Sequence, residues 1–164
     1  TSTLQTLWNY DDAVEDYLAA TRAIPRGAHI VRMRYPTPDV PERYRYQDIG
    51  RDPLFHLDSY VAVQCRCLDL TDYQAPNKIF PVVFNRAVSE AQAAALWSFE
   101  CPGPDMDQVL AGVQSALPVP IDYVIVLADA SSPGAATLFA RLDSEMRLVG
   151  TSAGKPFVRV YQRR

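Results

Sequence analysis

Apolar residues Leu54, Leu57, Val61, Cys65 and Leu68 recur at three- and four-residue steps, and Tyr60, Val63 and Cys67 form a second apolar stripe beside them. This spacing predicts a helix that is apolar on two sides and therefore buried. Turn chemistry at Asp69, Asp72 and Asn77 follows, then a β-rich run from Ile79 to Phe84. Upstream, Val14, Tyr17, Leu18 and Thr21 suit an amphipathic helix from Asn9 to Arg22, with Asn9 or Asp11 as cap and Pro25 beyond its end. Gly27 then turns the chain into an alternating segment. His29, Val31, Met33 and Tyr35 fall on one side and Ile30, Arg32 and Arg34 on the other, as in a strand with one wetter face.

In the second half, Ser89 to Gln92 spells a capping box ahead of an alanine-rich helix, and Asp105 caps a helix bearing Met106, Val109, Leu110 and Val113 that Pro118 and Pro120 end. Tyr123 to Ala128 is continuously apolar, as expected for a strand buried on both faces in the middle of a sheet. A helix starting near Pro133 has Ala136, Leu138, Phe139 and Leu142 to bury. The chain finishes with Arg147 to Gly150 and Phe157 to Tyr161, two strands joined by TSAGKP. This alternation predicts an α/β fold: a single domain over 1–164 with a mixed, mostly parallel sheet flanked by helices and a C-terminal antiparallel hairpin. Its strands are expected near 29–35, 79–84, 122–128, 145–150 and 157–162, with 122–128 central.

Composition narrows the function classes. The chain has 164 residues, 48% of them hydrophobic, enough for one domain that buries about 70% of its unfolded surface. A net charge of −3 with both signs spread along the sequence offers no basic stripe for nucleic acid. The run Tyr123 to Ala128 falls far short of the roughly 20 apolar residues that cross a bilayer, so this piece reads as soluble. It starts at Thr1 with no methionine, basic n-region or signal-peptide core, which suggests a segment of a longer protein. Cys65 and Cys67, if both lie on the helix, are two steps of about 100° apart and diverge, so they would not share a metal or a disulfide. They read as buried thiols, with a bond from one of them to Cys101 left open in an oxidising compartment.

Candidate chemistry is sparse. The segment PTPDVPERYRYQDIGRDP, 36–53, mixes arginine, tyrosine and proline. It is either a solvated surface loop or one that meets a lipid headgroup, a phosphate or a sugar. Behind it, His56 and Tyr60 are four residues apart on one side of the expected helix, and Arg51 just precedes it. The three would offer a cation, an imidazole and a phenol to a phosphate or sugar hydroxyls, or else hydrogen-bond the loop backbone. Asp129, Ser131 and Ser132 lie where the central strand meets the next helix, the end of an open sheet that ligands favour, although a serine there also serves as a helix cap. Asp69 and Asp72 lack a base partner and read as turn residues. GTSAGKP has three residues between its glycines and a proline in the magnesium-binding position, so it reads as a hairpin turn and not as a phosphate loop. No dinucleotide fingerprint, nucleophile elbow or C-x-x-C is present. No catalytic residue, metal site or cofactor is assigned.

Four stretches together resemble the soluble C-terminal, extracytoplasmic domain that follows the transmembrane helices in some bacterial multi-pass membrane proteins of the glycosyltransferase C type. They are AVEDYLAATRAIPRGAHIVRMRY, HLDSYVAVQCRCLDLTDYQA with the following FPVVF, IDYVIV, and FVRVYQRR. They span most of the chain, and none is a catalytic signature. The resemblance implies that the catalytic acid lies between membrane helices this chain lacks, so that any transferase activity belongs to the parent protein. It matches Arg51, His56 and Tyr60 to the polar recurrence of that segment. It also implies a location on the periplasmic side of a bacterial inner membrane. The implied partners are the transmembrane portion of the parent and a lipid-linked sugar or polysaccharide. Two hypotheses follow: a non-catalytic accessory domain in envelope polysaccharide or lipid-linked sugar transfer, or a stand-alone small α/β enzyme or ligand-binding protein using Asp129, Ser131 and Ser132.

Overall fold

The computed structural model describes residues 3–34, 57–70, 110–111, 114, 119–128, 135–153 and 157–164. In chain order these form α1 (Thr3–Thr21), β1 (His29–Arg34), α2 (Leu57–Cys65), β2 (Leu68–Asp69), β3 (Tyr123–Leu127), α3 (Ala135–Glu145), β4 (Met146–Thr151) and β5 (Val158–Arg163). The strands make one open sheet in the order β2-β1-β3-β5-β4. β1 runs parallel to both β2 and β3, whereas β5 runs antiparallel to both β3 and β4. The α/β fold is therefore as the alternation indicates, with two parallel and two antiparallel ladders among the described residues rather than a mostly parallel sheet. The expected strand at 79–84 and the capping-box helix after Ser89 lie outside the described residues. Of the helix after Asp105, Leu110, Ala111 and Gln114 are described and helical.

β3 is the centre of the sheet because nothing along it needs water: all five of its side chains are buried. Alternate residues feed two cores. Val124 and Val126 face α3, meeting Ala135, Leu138, Phe139 and Leu142 together with Val31, Met33 and Tyr161. Tyr123, Ile125 and Leu127 face α1 and α2, meeting Ala13, Tyr17, Ala20, Leu57 and Val61 together with Ile30 and Val160. The result is three layers, with the sheet between α3 and the pair α1–α2. Ala136, expected in the core, is exposed, and Ala135 takes the buried place on α3. Among the described side chains of β1, Ile30 to Met33 are all buried, Arg32 at 5% exposure, so no wetter face shows there, because helices cover both faces of the sheet.

α1 begins at Thr3, well before the expected caps at Asn9 and Asp11, which therefore sit within the helix. α2 buries Leu57 and Val61 but leaves Tyr60 and Val63 of the second stripe in solvent, at 64% and 77% exposure. The β4–β5 hairpin is anchored by Ser152, whose buried hydroxyl accepts hydrogen bonds from the Phe157 and Val158 N–H groups at 3.0 and 3.1 Å. The strands on either side of GTSAGKP pair antiparallel, as a hairpin requires, while residues 154–156 of the turn itself lie outside the described residues.

The end of α2 carries a feature the expected helix geometry excluded. Arg66 adopts φ 50°, a left-handed conformation usually given to glycine. The Arg66 N–H donates to the Val63 carbonyl at 3.3 Å and the Cys67 N–H to the Ala62 carbonyl at 2.9 Å, which closes the helix in a Schellman arrangement. Cys67 therefore leaves the helix and folds back beside Cys65, and the two are joined in a disulfide with 5.2 Å between their Cα atoms. The reading of two diverging thiols fails because only the first of them is helical.

Candidate functional site

The start of β1, the start of β3 and the end of β5 meet at one edge of the sheet, and the turn before β1 closes over them. There lies a cleft of about 520 Å³ lined by Arg26, Asp122, Tyr123, Gln162, Arg163 and Arg164, with Pro25, Gly27 and Ala28 as its backbone rim. Gly27 carries φ 82°, so the turn follows a path that a side chain would oppose. Its N–H donates to the Cys65 carbonyl at 3.2 Å, which ties the rim to the end of α2.

Asp122 organises the floor. Its Oδ2 accepts a hydrogen bond from the His29 N–H at 2.9 Å and lies 3.3 Å from His29 Nδ1. Its backbone N–H donates to the His29 carbonyl at 3.0 Å, and its carbonyl accepts from the Arg163 N–H at 2.8 Å. One residue thus clamps three strands together. Beside it, Tyr123 and Gln162 are opposite each other across β3 and β5, and Gln162 and Arg147 across β5 and β4. The Arg147 guanidinium donates to Gln162 Oε1, so a polar row crosses the sheet toward the cleft. The Arg164 guanidinium, at the far side, donates to the Asp143 carbonyl at 3.1 Å.

Burial pushes the Tyr123 phenol above its ordinary value; Arg147 opposes that, Asp122 adds to it, and the hydrogen bond with Gln162 opposes it. Tyr161 is raised too, first by burial, with Arg159 acting against the rise and the charge of Asp143 adding to it. Both folded values exceed the unfolded one of about 10. The folded state therefore holds these protons more tightly, and the stability it gains is complete below that value and lost as pH climbs through the folded values. Thermal melts should show the midpoint falling above roughly pH 10. Tyr123→Phe combined with Tyr161→Phe should flatten that alkaline decline, and an unchanged decline would contradict the assignment.

The charge on the described lining of the cleft is mostly positive. Among the described lining residues, Arg26, Arg163 and Arg164 outnumber the one carboxylate, Asp122. Among the described residues there is no group of three side chains able to hold a metal ion. A second depression of about 430 Å³ lies between α1 and α2, lined by Thr21, Arg22, Val61, Gln64 and Cys65 among others.

Of the residues singled out in the sequence, Tyr60 stands on the solvent side of α2, away from both clefts. Arg51, His56, Asp129, Ser131 and Ser132 lie outside the described residues. The cleft was not foreseen, because it forms at the opposite edge of the sheet from the carboxyl end of β3. A faint signal existed in the two basic segments PRG and QRR, which flank β1 and end β5. No described helix is long and apolar enough to cross a membrane. Comparison with family models, with curated proteins and with solved structures finds no match to this chain.

Proposed function

We propose that the chain is a non-catalytic, extracytoplasmic accessory domain of a membrane protein acting in envelope polysaccharide or lipid-linked sugar transfer, and that its arginine cleft receives an anionic group of that substrate. The observation that carries the reading is local charge. In a chain of net charge −3, three arginines line one cleft, and among the described lining residues the one carboxylate, Asp122, is engaged by His29. Guanidinium groups pair with phosphate or carboxylate oxygens through two parallel hydrogen bonds, and they keep their charge at any physiological pH. The Cys65–Cys67 bond supports an extracytoplasmic location, since disulfides persist in oxidising compartments. The four stretches that resemble the glycosyltransferase C type support the kind of parent. The partners are then its transmembrane portion and a lipid-linked sugar or polysaccharide that carries phosphate or uronate.

Isothermal titration of the chain with a short-chain prenyl diphosphate sugar tests this. Binding should weaken as salt rises, and Arg26→Ala with Arg163→Ala should weaken it at least tenfold, about 1.4 kcal/mol. A neutral prenyl glycoside should not compete. Absence of binding, or equal binding by the double variant, would sink the proposal.

A further inference from the structure

The bond between Cys65 and Cys67 spans a single intervening residue, Arg66. A ring that short takes little freedom from an unfolded chain compared with one closing tens of residues, so the bond adds little as a staple. The turn is held without it. Backbone hydrogen bonds from Arg66 to Val63, Cys67 to Ala62, Gly27 to Cys65 and Leu68 to Ala28 fix the path of the chain on both sides of the sulfurs. Both cysteines are half-buried, and Cys65 opens onto the depression between α1 and α2. Acceptors for the reduced form are already in place. Cys67 Sγ lies 3.3 Å from the Pro25 carbonyl oxygen, and Cys65 Sγ lies 3.9 Å from that of Ala62. A thiol at either position thus finds a hydrogen-bond acceptor with no movement of the backbone.

We propose that Cys65–Cys67 is a thiol–disulfide exchange site whose partner is a dithiol protein, and that it passes between disulfide and dithiol with the fold intact. One thiolate of the partner attacks Cys65 Sγ, forming a mixed disulfide and breaking the Cys65–Cys67 bond. Cys67 leaves with the electron pair and takes a proton, and the thiol so formed donates a hydrogen bond to the Pro25 carbonyl. The partner's second thiolate then attacks its own mixed-disulfide sulfur, and Cys65 leaves and is protonated. Two electrons and two protons pass from the partner, which departs as a disulfide. Cys67 is the first leaving sulfur because Cys65 ends α2, where the negative end of the helix dipole opposes a thiolate, and Cys67 lies beyond it. The exchange needs no ligand in the arginine cleft, and neither does its readout.

Dithiothreitol serves as the probe dithiol. The oxidised 164-residue chain is equilibrated in graded mixtures of reduced and oxidised dithiothreitol without denaturant, alkylated, and mapped cysteine by cysteine by mass spectrometry, with circular dichroism on the same samples. Cys65 and Cys67 should become alkylated together in one two-electron transition, with the dichroism unchanged, and oxidised dithiothreitol should reverse it. Three results would overturn the proposal: both cysteines already alkylated in the untreated chain, reduction only after denaturant is added, or loss of the folded signal when the bond opens.

Discussion

Gly150→Ala should destabilise the protein by about 3 kcal/mol, the upper part of the range for overpacking a filled interior. That is a fall of roughly 6–12 °C in the melting temperature for a domain of this size. Gly150 sits in β4 at the register shift between Leu148 and Gly150, and a Cβ there would run into the backbone carbonyl of Ala20 in α1. Since the obstruction is backbone, relief requires moving a helix against the sheet. Gly27 makes the control. Its φ of 82° disfavours a side chain, but a Cβ there meets nothing within 4 Å, so Gly27→Ala should cost only about 1 kcal/mol. Equal losses from the two variants, measured by denaturant unfolding, would show that α1 does not press on β4 as described.

Ile125→Ala should cost about 3–4 kcal/mol, lost transfer energy plus the cavity left behind. Ile125 is fully buried in the central strand, paired with Arg32 on one side and Val160 on the other, and it packs into the core beneath α1 and α2. Neighbours on both strands are fixed by sheet hydrogen bonds, which limits how far the site can collapse. Leu148, 44% exposed on the edge strand β4, provides the comparison, and Leu148→Ala should cost less than about 1 kcal/mol. Similar unfolding midpoints for the two variants would remove Ile125 from the centre of the core.

The central strand and the hairpin were legible because their signals are local: an uninterrupted apolar run at Tyr123 to Ala128, and two short β-rich runs around a turn. What could not be read depended on places where the residue type hides the geometry. Arg66 occupies a position where glycine would have announced the end of α2, so Cys67 looked like one more helical residue. Asn9 and Asp11 looked like caps, but capping is a preference of residue type, and α1 simply continues through them. The arginine cleft is built from three segments far apart in the chain, with His29 and Asp122 separated by 93 residues. Only the register of β1, β3 and β5 brings Arg26, Asp122 and Arg163 to one edge, and no spacing rule in the sequence encodes that register. Arg32 misled in the other direction, since an arginine in a strand suggests water and this one is buried on the sheet face that α1 and α2 cover.

The strand order β3-β5-β4 also bears on how the chain is made. β4 precedes β5 in synthesis, yet among the described strands it reaches the rest of the sheet only through β5. Until residues 158–163 leave the ribosome, β3 therefore presents a bare hydrogen-bonding edge beside its buried valines, and β4 has no strand to join. An unpaired apolar edge of this kind is a template for pairing with other chains. The nascent chain is thus exposed to aggregation in the interval before β5 emerges, and the insertion of β5 is the step that covers this edge.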